Sequence, residues 1–226
     1  MTPTTDRHQG PPLWLPAVMY VLLFLAGLYP VTIFGGRPFY PGPEQPLDVM
    51  VEFFRLRSSG VLLCAFLQFG AAIPLALFTA TAVSRLRFLG VRAAGAEIAL
   101  FGGFAASILM LASSSILWVM TFPGMAQNRD VLHALYRLSF ALGGPGFSVP
   151  FGLLAAGLTI PALLYRLIPK WVGILGIIIA IAGELSWIQI VVPKAIPLIP
   201  LTRFPGFVWI IAVALTLPKT RRAQAA

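Results

Sequence analysis

The chain has 226 residues, 58% hydrophobic and only 10% charged, with a mean hydropathy of +0.89. Soluble domains carry roughly 25% charged residues, so most of this surface must face something other than water, and a soluble globular fold is excluded. The net charge of +9 does not read as a nucleic-acid patch, because the basic residues cluster at the ends of apolar runs.

Six apolar runs are long enough to cross a hydrocarbon core of ~30 Å at 1.5 Å per residue. The first covers Leu13–Phe34, behind a tail of residues 1–12. It is too long for a signal-peptide core and lacks a clear small-x-small cleavage site, so it reads as an anchor. The second covers Ser59–Val83, with Gln68 in mid-span and an Ala72, Ala76, Ala80 stripe for helix packing. Its Cys64 is the chain's one cysteine, so an internal disulfide framework and a CxxC site are both excluded.

The third run covers Glu97–Thr121 and carries Ser113, Ser114 and Ser115. The fourth covers Leu138–Tyr165, where Gly143-Gly144-Pro145-Gly146 should break or kink a helix near its outer end. The fifth covers Trp171–Val192 and the sixth Ile196–Leu217. Pro197, Pro200, Arg203 and Pro205 interrupt the first half of the sixth, which predicts a loop or a broken helix there. A basic tail, residues 219–226, follows the transmembrane domain of residues 13–218.

A segment is written twice. Residues 40–57 read YPGPEQPLDVMVEFFRLR and residues 122–139 read FPGMAQNRDVLHALYRLS. Pro, Gly, Gln, Asp, Val, Arg and Leu recur in register, and Phe69-Gly70 matches Phe151-Gly152 at the same offset of 82 residues. Each copy lies between two spans, so the predicted unit is span, loop, span, with units at about 13–94 and 95–176. Such units share one orientation and are related by an axis along the membrane normal. The expected fold is therefore an all-α membrane protein of six transmembrane helices, the first four forming a tandem parallel repeat.

Within each copy Pro-Gly makes a turn, and Asp48 and Asp130 are expected as N-caps of short interfacial helices. Across a pseudo-two-fold axis Asp48 would meet Arg137, and Asp130 would meet Arg55. With His133 these four residues form a candidate polar cluster on the outer face. Asp capping and Arg snorkelling explain the same residues without a ligand.

Lys and Arg near the span ends number nine on the side of the termini and seven on the side of the repeated segments. The first side also has fewer acids, so both termini are expected in the cytoplasm of a bacterial inner membrane. An acid at the depth of Glu184 marks function by default. At 100° per residue it shares a face with Gly173, Gly176, Ala180 and Gly183, where a neighbouring helix can approach. Ile174, Leu175, Ile178, Ala182 and Leu185 fall on the lipid side. A hydrogen bond from Glu184 to Gln68 or to one of the three serines would instead glue helices together.

The candidate ligand-binding residues are Glu184, Gln68, Ser114 and Trp187. With His8 and His133 as the only histidines, a haem held by paired intramembrane histidines and a His-rich metal centre are both excluded. There is no phosphate-binding glycine loop. No metal, no cofactor and no nucleic-acid partner is expected. RLIPKWVGILG at 166–176, preceded by GGPGFSVPFGLLAAGL, resembles a family of uncharacterised six-span bacterial membrane proteins. That resemblance implies a six-helix inner-membrane protein and transfers no site residues.

The composition and the spans point to a protein that sits in the lipid bilayer and binds or moves a small amphipathic or lipid-like ligand. A membrane-embedded enzyme acting on an isoprenoid, quinone or lipid, with Glu184 as acid or base, is the alternative. A structural or partner-binding subunit is the third reading.

Overall fold

A computed structural model describes residues 6–221. The outer parts of both expected tails, residues 1–5 and 222–226, lie outside the described residues. Among the described residues there are seven α-helices: α1 (Trp14–Leu28), α2 (Leu47–Phe88), α3 (Gly95–Val119), α4 (Arg129–Gly143), α5 (Pro145–Leu164), α6 (Lys170–Leu185) and α7 (Leu198–Thr216). No strand occurs among the described residues, apart from an isolated bridge between Arg7 and Thr220.

Six helical stretches of the described residues are long and apolar enough to span a bilayer, with α4 and α5 forming one of them. Lipid offers no partner for backbone N–H and C=O groups, so each crossing must satisfy its own, and helices do so. Bulky side chains such as Phe101, Ile108, Ile174 and Leu215 point outward from this bundle. In water they would be a liability, but in hydrocarbon they match the solvent.

α2 has 42 residues, which a straight helix would stretch to ~63 Å, about twice a hydrocarbon core. It is not straight. Arg57 leaves helical geometry (φ −120°, ψ 19°) and divides a short first segment from the long spanning one. The Arg57 guanidinium fixes the bend by donating to the carbonyls of Pro30 (2.7 Å) and Gly35. In the fourth stretch the break falls at Gly144, and Pro145 opens α5 at the position where proline costs no hydrogen bond. The Gly-Gly-Pro-Gly motif predicted this break.

Two expectations are corrected. The first half of the sixth span is neither a loop nor broken, because α7 runs unbroken from Leu198 to Thr216. Pro197 is its N-cap and Pro200 lies in its first turn, where the backbone N–H groups have no intrahelical partner. Only Pro205 removes an interior bond. The N-caps of α2 and α4 are Pro46 and Asn128, not Asp48 and Asp130. Both helices start one residue before the acid, which instead lies in the first turn and faces the positive end of the helix dipole.

Small residues let the helices meet. A Cβ added at Gly102 of α3 would strike the backbone of Pro150 and Leu154, and one at Gly157 of α5 would strike the backbone of Gly95 and Ala99. Gly176 and Gly183 of α6 approach Thr159 and Ser148 of α5 in the same way. The small-residue face computed for α6 is therefore its packing face. Ile174, Ile178 and Leu185 are exposed as expected, whereas Ala182 is buried and Leu175 packs against the core.

The two ends of the chain meet on one side of the bundle. His8 N–H donates to the Lys219 carbonyl (2.9 Å), and the buried Arg85 donates to the Leu217 carbonyl (3.3 Å). His8 also contacts the Ser84 hydroxyl at 3.0 Å. Its burial, together with the nearby Arg85 charge, holds the His8 imidazole below the usual histidine value. On this same side Arg87 makes a two-pronged pair with Glu97 at 2.7 Å, linking α2 to α3. Both side chains are about half exposed or more, so the pair is weak. Arg87→Ala should lower stability by less than ~1 kcal/mol in a thermal unfolding assay; a larger loss would mean this pair anchors the α2–α3 turn.

Candidate functional site

The side of the bundle that carries the long loops also carries a cavity of about 290 Å³. Each part of it follows from a local feature of the chain. The bend at Arg57 and the break at Gly144 set off the first segment of α2 and the whole of α4 from the long helices that follow them. Phe53, Phe54 and Tyr136 bury themselves there with Tyr40, each pair of neighbouring rings 5.4–6.5 Å apart. Tyr136 donates its hydroxyl to the Pro41 carbonyl. Burial, with Tyr136 adding to it, pushes the Tyr40 phenol well above the usual tyrosine value. Of this layer, Tyr40 lines the cavity.

The other walls come from six helices. α1 supplies Phe24 and Leu28, α2 supplies Cys64 and Gln68, and α3 supplies Met110, Ser113 and Leu117. The α4–α5 break supplies Ser139, Gly143, Gly144 and Phe147, and α7 supplies Ile199 and Arg203. Ser113 donates to the Ser139 carbonyl at 2.9 Å, and the two hydroxyls lie 3.2 Å apart.

Among the described residues, Arg203 is the one charged side chain lining the cavity. It lies five residues into α7, about 8 Å along the axis from the helix start. Its guanidinium donates through Nη2 to the Gly143 carbonyl, one of the groups freed by the helix break. Its Cζ lies over the Phe147 ring at 4.9 Å and over the Phe24 ring at 5.1 Å. The Nε–H is buried and has no hydrogen-bond partner. An Arg at bilayer depth costs about 2.5–3.5 kcal/mol or more. Two rings at ~1–2 kcal/mol each are of the size that offsets this, but they leave the charge itself in place.

The sequence-derived candidates do not converge. Gln68 lines the cavity, and the other three lie elsewhere. Ser114 borders an apolar cleft between α1, α2 and α3, together with Phe66, Ile73 and Trp118. Trp187 borders an open outer cleft with Arg137, Glu44 and Gln189. Glu184 sits at the α5–α6 contact, where a Cβ on Gly152 would meet its carboxylate oxygen, its backbone nitrogen and the Ala180 carbonyl, each at 3.1 Å. Its Oε1 is buried without a hydrogen-bond partner, so neither Gln68 nor the serines glue it in place. Glu184 is not among the residues that line the cavity.

The outer polar cluster is also arranged differently. Asp48 pairs with Arg129 and not with Arg137. Arg129 opens α4 beside the start of α2, whereas Arg137 lies eight residues, about 12 Å, further along. Arg137 donates its Nε–H to His133 Nε2 at 2.8 Å, one helical turn back. Neither Asp130 nor Arg55 takes part in an ion pair of the described residues. No cluster of metal-binding side chains occurs among the described residues.

Sequence reasoning missed Arg203, which it counted as a loop charge because prolines surround it. The available signal was a lone charge, Thr202-Arg203-Phe204, inside an otherwise apolar stretch. No protein-family model matches the chain, and no curated protein or solved structure matches it either.

Proposed function

We propose that this chain is an integral membrane protein that binds or moves a small amphipathic or lipid-like ligand, and that the ligand sits in the cavity between α1, α2, α3, the α4–α5 break and α7. The observation that carries this reading is the cavity itself. It combines apolar walls with a few convergent polar groups, Gln68, Ser139 and Arg203, and it lies near the lower end of the size range of ligand sites. A purely structural subunit would fill such a space with side chains. The alternative, an enzyme using Glu184 as acid or base, draws no support from the geometry, because Glu184 lies against Gly152 and away from this space.

In this proposal the first four spans are a tandem repeat whose two outer segments pack together. The packing of Phe54 on Tyr136, which occupy equivalent positions 82 residues apart, supports it (ring centroids 6.2 Å). The surplus of basic residues on the side of the termini supports a cytoplasmic location for both, and the composition supports a bacterial inner membrane.

The test uses a neutral amphiphile. Purified in a maltoside detergent, the protein should bind one octanol per chain by isothermal titration calorimetry. Met110→Trp, which fills the cavity from α3, should weaken that binding about tenfold or more. Equal affinity in the two proteins would remove this cavity as the binding site.

A further inference from the structure

From Arg203 we infer that the cavity selects an anionic head: the ligand is an amphiphile bearing a carboxylate or phosphate, with an apolar tail. The inference rests on the proposed binding function and names the chemistry of the bound molecule. Three observations lead to it. First, Arg203 lines the cavity, and no carboxylate is among the residues that share the lining. The two ion pairs among the described residues lie elsewhere, at Arg87–Glu97 and Arg129–Asp48.

Second, the groups that hold the guanidinium orient it without cancelling its charge. Gly143 offers one carbonyl, and Phe24 and Phe147 offer ring faces at 5.1 and 4.9 Å. The buried Nε–H has no hydrogen-bond partner. A planar donor fork of this kind matches a carboxylate or phosphate oxygen pair. In a low-dielectric wall the favourable partner for a fixed cation is an anion, and a neutral head gains much less.

Third, the remaining polar lining suits an oxyanion as well. The Gln68 amide borders the same space as Arg203 and can donate. The rest of the wall, Leu28, Met110, Leu117 and Ile199, suits a hydrocarbon chain. Head and tail requirements therefore meet in one cavity.

The experiment compares octanoate, octanol and acetate on the same purified protein by titration calorimetry at neutral pH. Octanoate should bind at least about tenfold more tightly than octanol, the discrimination that charge-assisted hydrogen bonds carry. Arg203→Gln should bring the two within about twofold of each other. Arg203→Lys keeps the charge and serves as the folded control; it should retain most of the preference even if the Gln variant does not fold.

Acetate and inorganic phosphate separate the possible sources of the anion. Weak binding of both, with tight binding of octanoate, identifies a lipid-like acid. Binding of acetate or phosphate as tight as that of octanoate would overturn the requirement for a tail. Equal binding of octanoate and octanol to the wild-type protein would overturn the inference while leaving the proposed binding function intact. Failure of both amphiphiles to bind would overturn both.

Discussion

Trp209→Ala is expected to be among the most destabilising substitutions in this protein, at about 3–5 kcal/mol. Trp209 is fully buried on α7 and is the largest such side chain among the described residues. It meets Phe151 of α5 nearly edge-on, with ring centroids 6.2 Å apart, and its indole N–H donates to the Thr159 hydroxyl at 3.2 Å. Gly176 of α6 leaves room for this arrangement, since a Cβ there would lie 2.6 Å from the indole nitrogen. One side chain therefore pins α7 to α5 and α6. Truncating it opens a space that these close-packed backbones cannot collapse to fill.

Trp209→Phe separates the two contributions. It keeps most of the ring packing and loses the hydrogen bond, which between membrane helices averages about 0.6 kcal/mol. Unfolding in mixed detergent micelles, followed by circular dichroism, provides the measurement. A loss below ~1 kcal/mol for the Ala variant would mean that α7 is held by something other than this contact. The result also bears on the site, because α7 carries Arg203. A loosened α7 should weaken octanoate binding without any change to the cavity lining.

Gly157→Ala should cost about 1–3 kcal/mol or more, although it adds a single methyl group. The added Cβ would meet the backbone of Gly95 and Ala99, including the Ala99 Cα at 2.9 Å. Backbone atoms cannot swing aside as a side-chain tip does, so α3 and α5 would have to separate. In a bilayer that separation is costly, because dispersion contacts and not the hydrophobic effect hold helices together. Gly70→Ala is the control within the same fold. The nearest atom its Cβ would meet, Leu23 Cδ1, is 4.0 Å away, so the substitution should be neutral or slightly stabilising. Equal melting temperatures for the two variants would show that the α3–α5 crossing tolerates expansion.

Gly70 and Gly152 also show where sequence and structure part. Each follows a phenylalanine, and they lie 82 residues apart, the offset of the matching segments 40–57 and 122–139. Gly70 is loosely surrounded, whereas Gly152 touches the α6 backbone and the Glu184 carboxylate. The same Phe-Gly pair at matching places has a different neighbour in each, because α6 packs on α5 at Gly152 and only a side chain of α1 approaches Gly70. Local sequence similarity cannot encode that difference.

Several features were legible in the chain itself because each depends on neighbours in sequence. Apolar run length against bilayer thickness determines the six crossings. Gly143-Gly144-Pro145-Gly146 determines the α4–α5 break, since the two backbone effects act on the spot. The 3.6-residue period determines which face of α6 is small and packs inward. Proline in α7 misled for an instructive reason: a proline near a helix start removes an N–H that had no partner there, so a cluster of prolines marks a beginning as readily as a break.

The site was decided by tertiary structure. Asp48 meets Arg129 because two helix starts lie side by side, which no spacing within either helix specifies. Gln68 faces the cavity while Ser114, Trp187 and Glu184 face three other places, because each helix's rotation is set by what it packs against. Arg203 becomes a cavity cation only when α1 and α5 bring Phe24 and Phe147 to it and the α4–α5 break offers the Gly143 carbonyl. The sequence by itself determined how many helices cross and where they break. Which side chains share a space was determined only by packing between distant helices, since the energies that set it exist only once the helices touch.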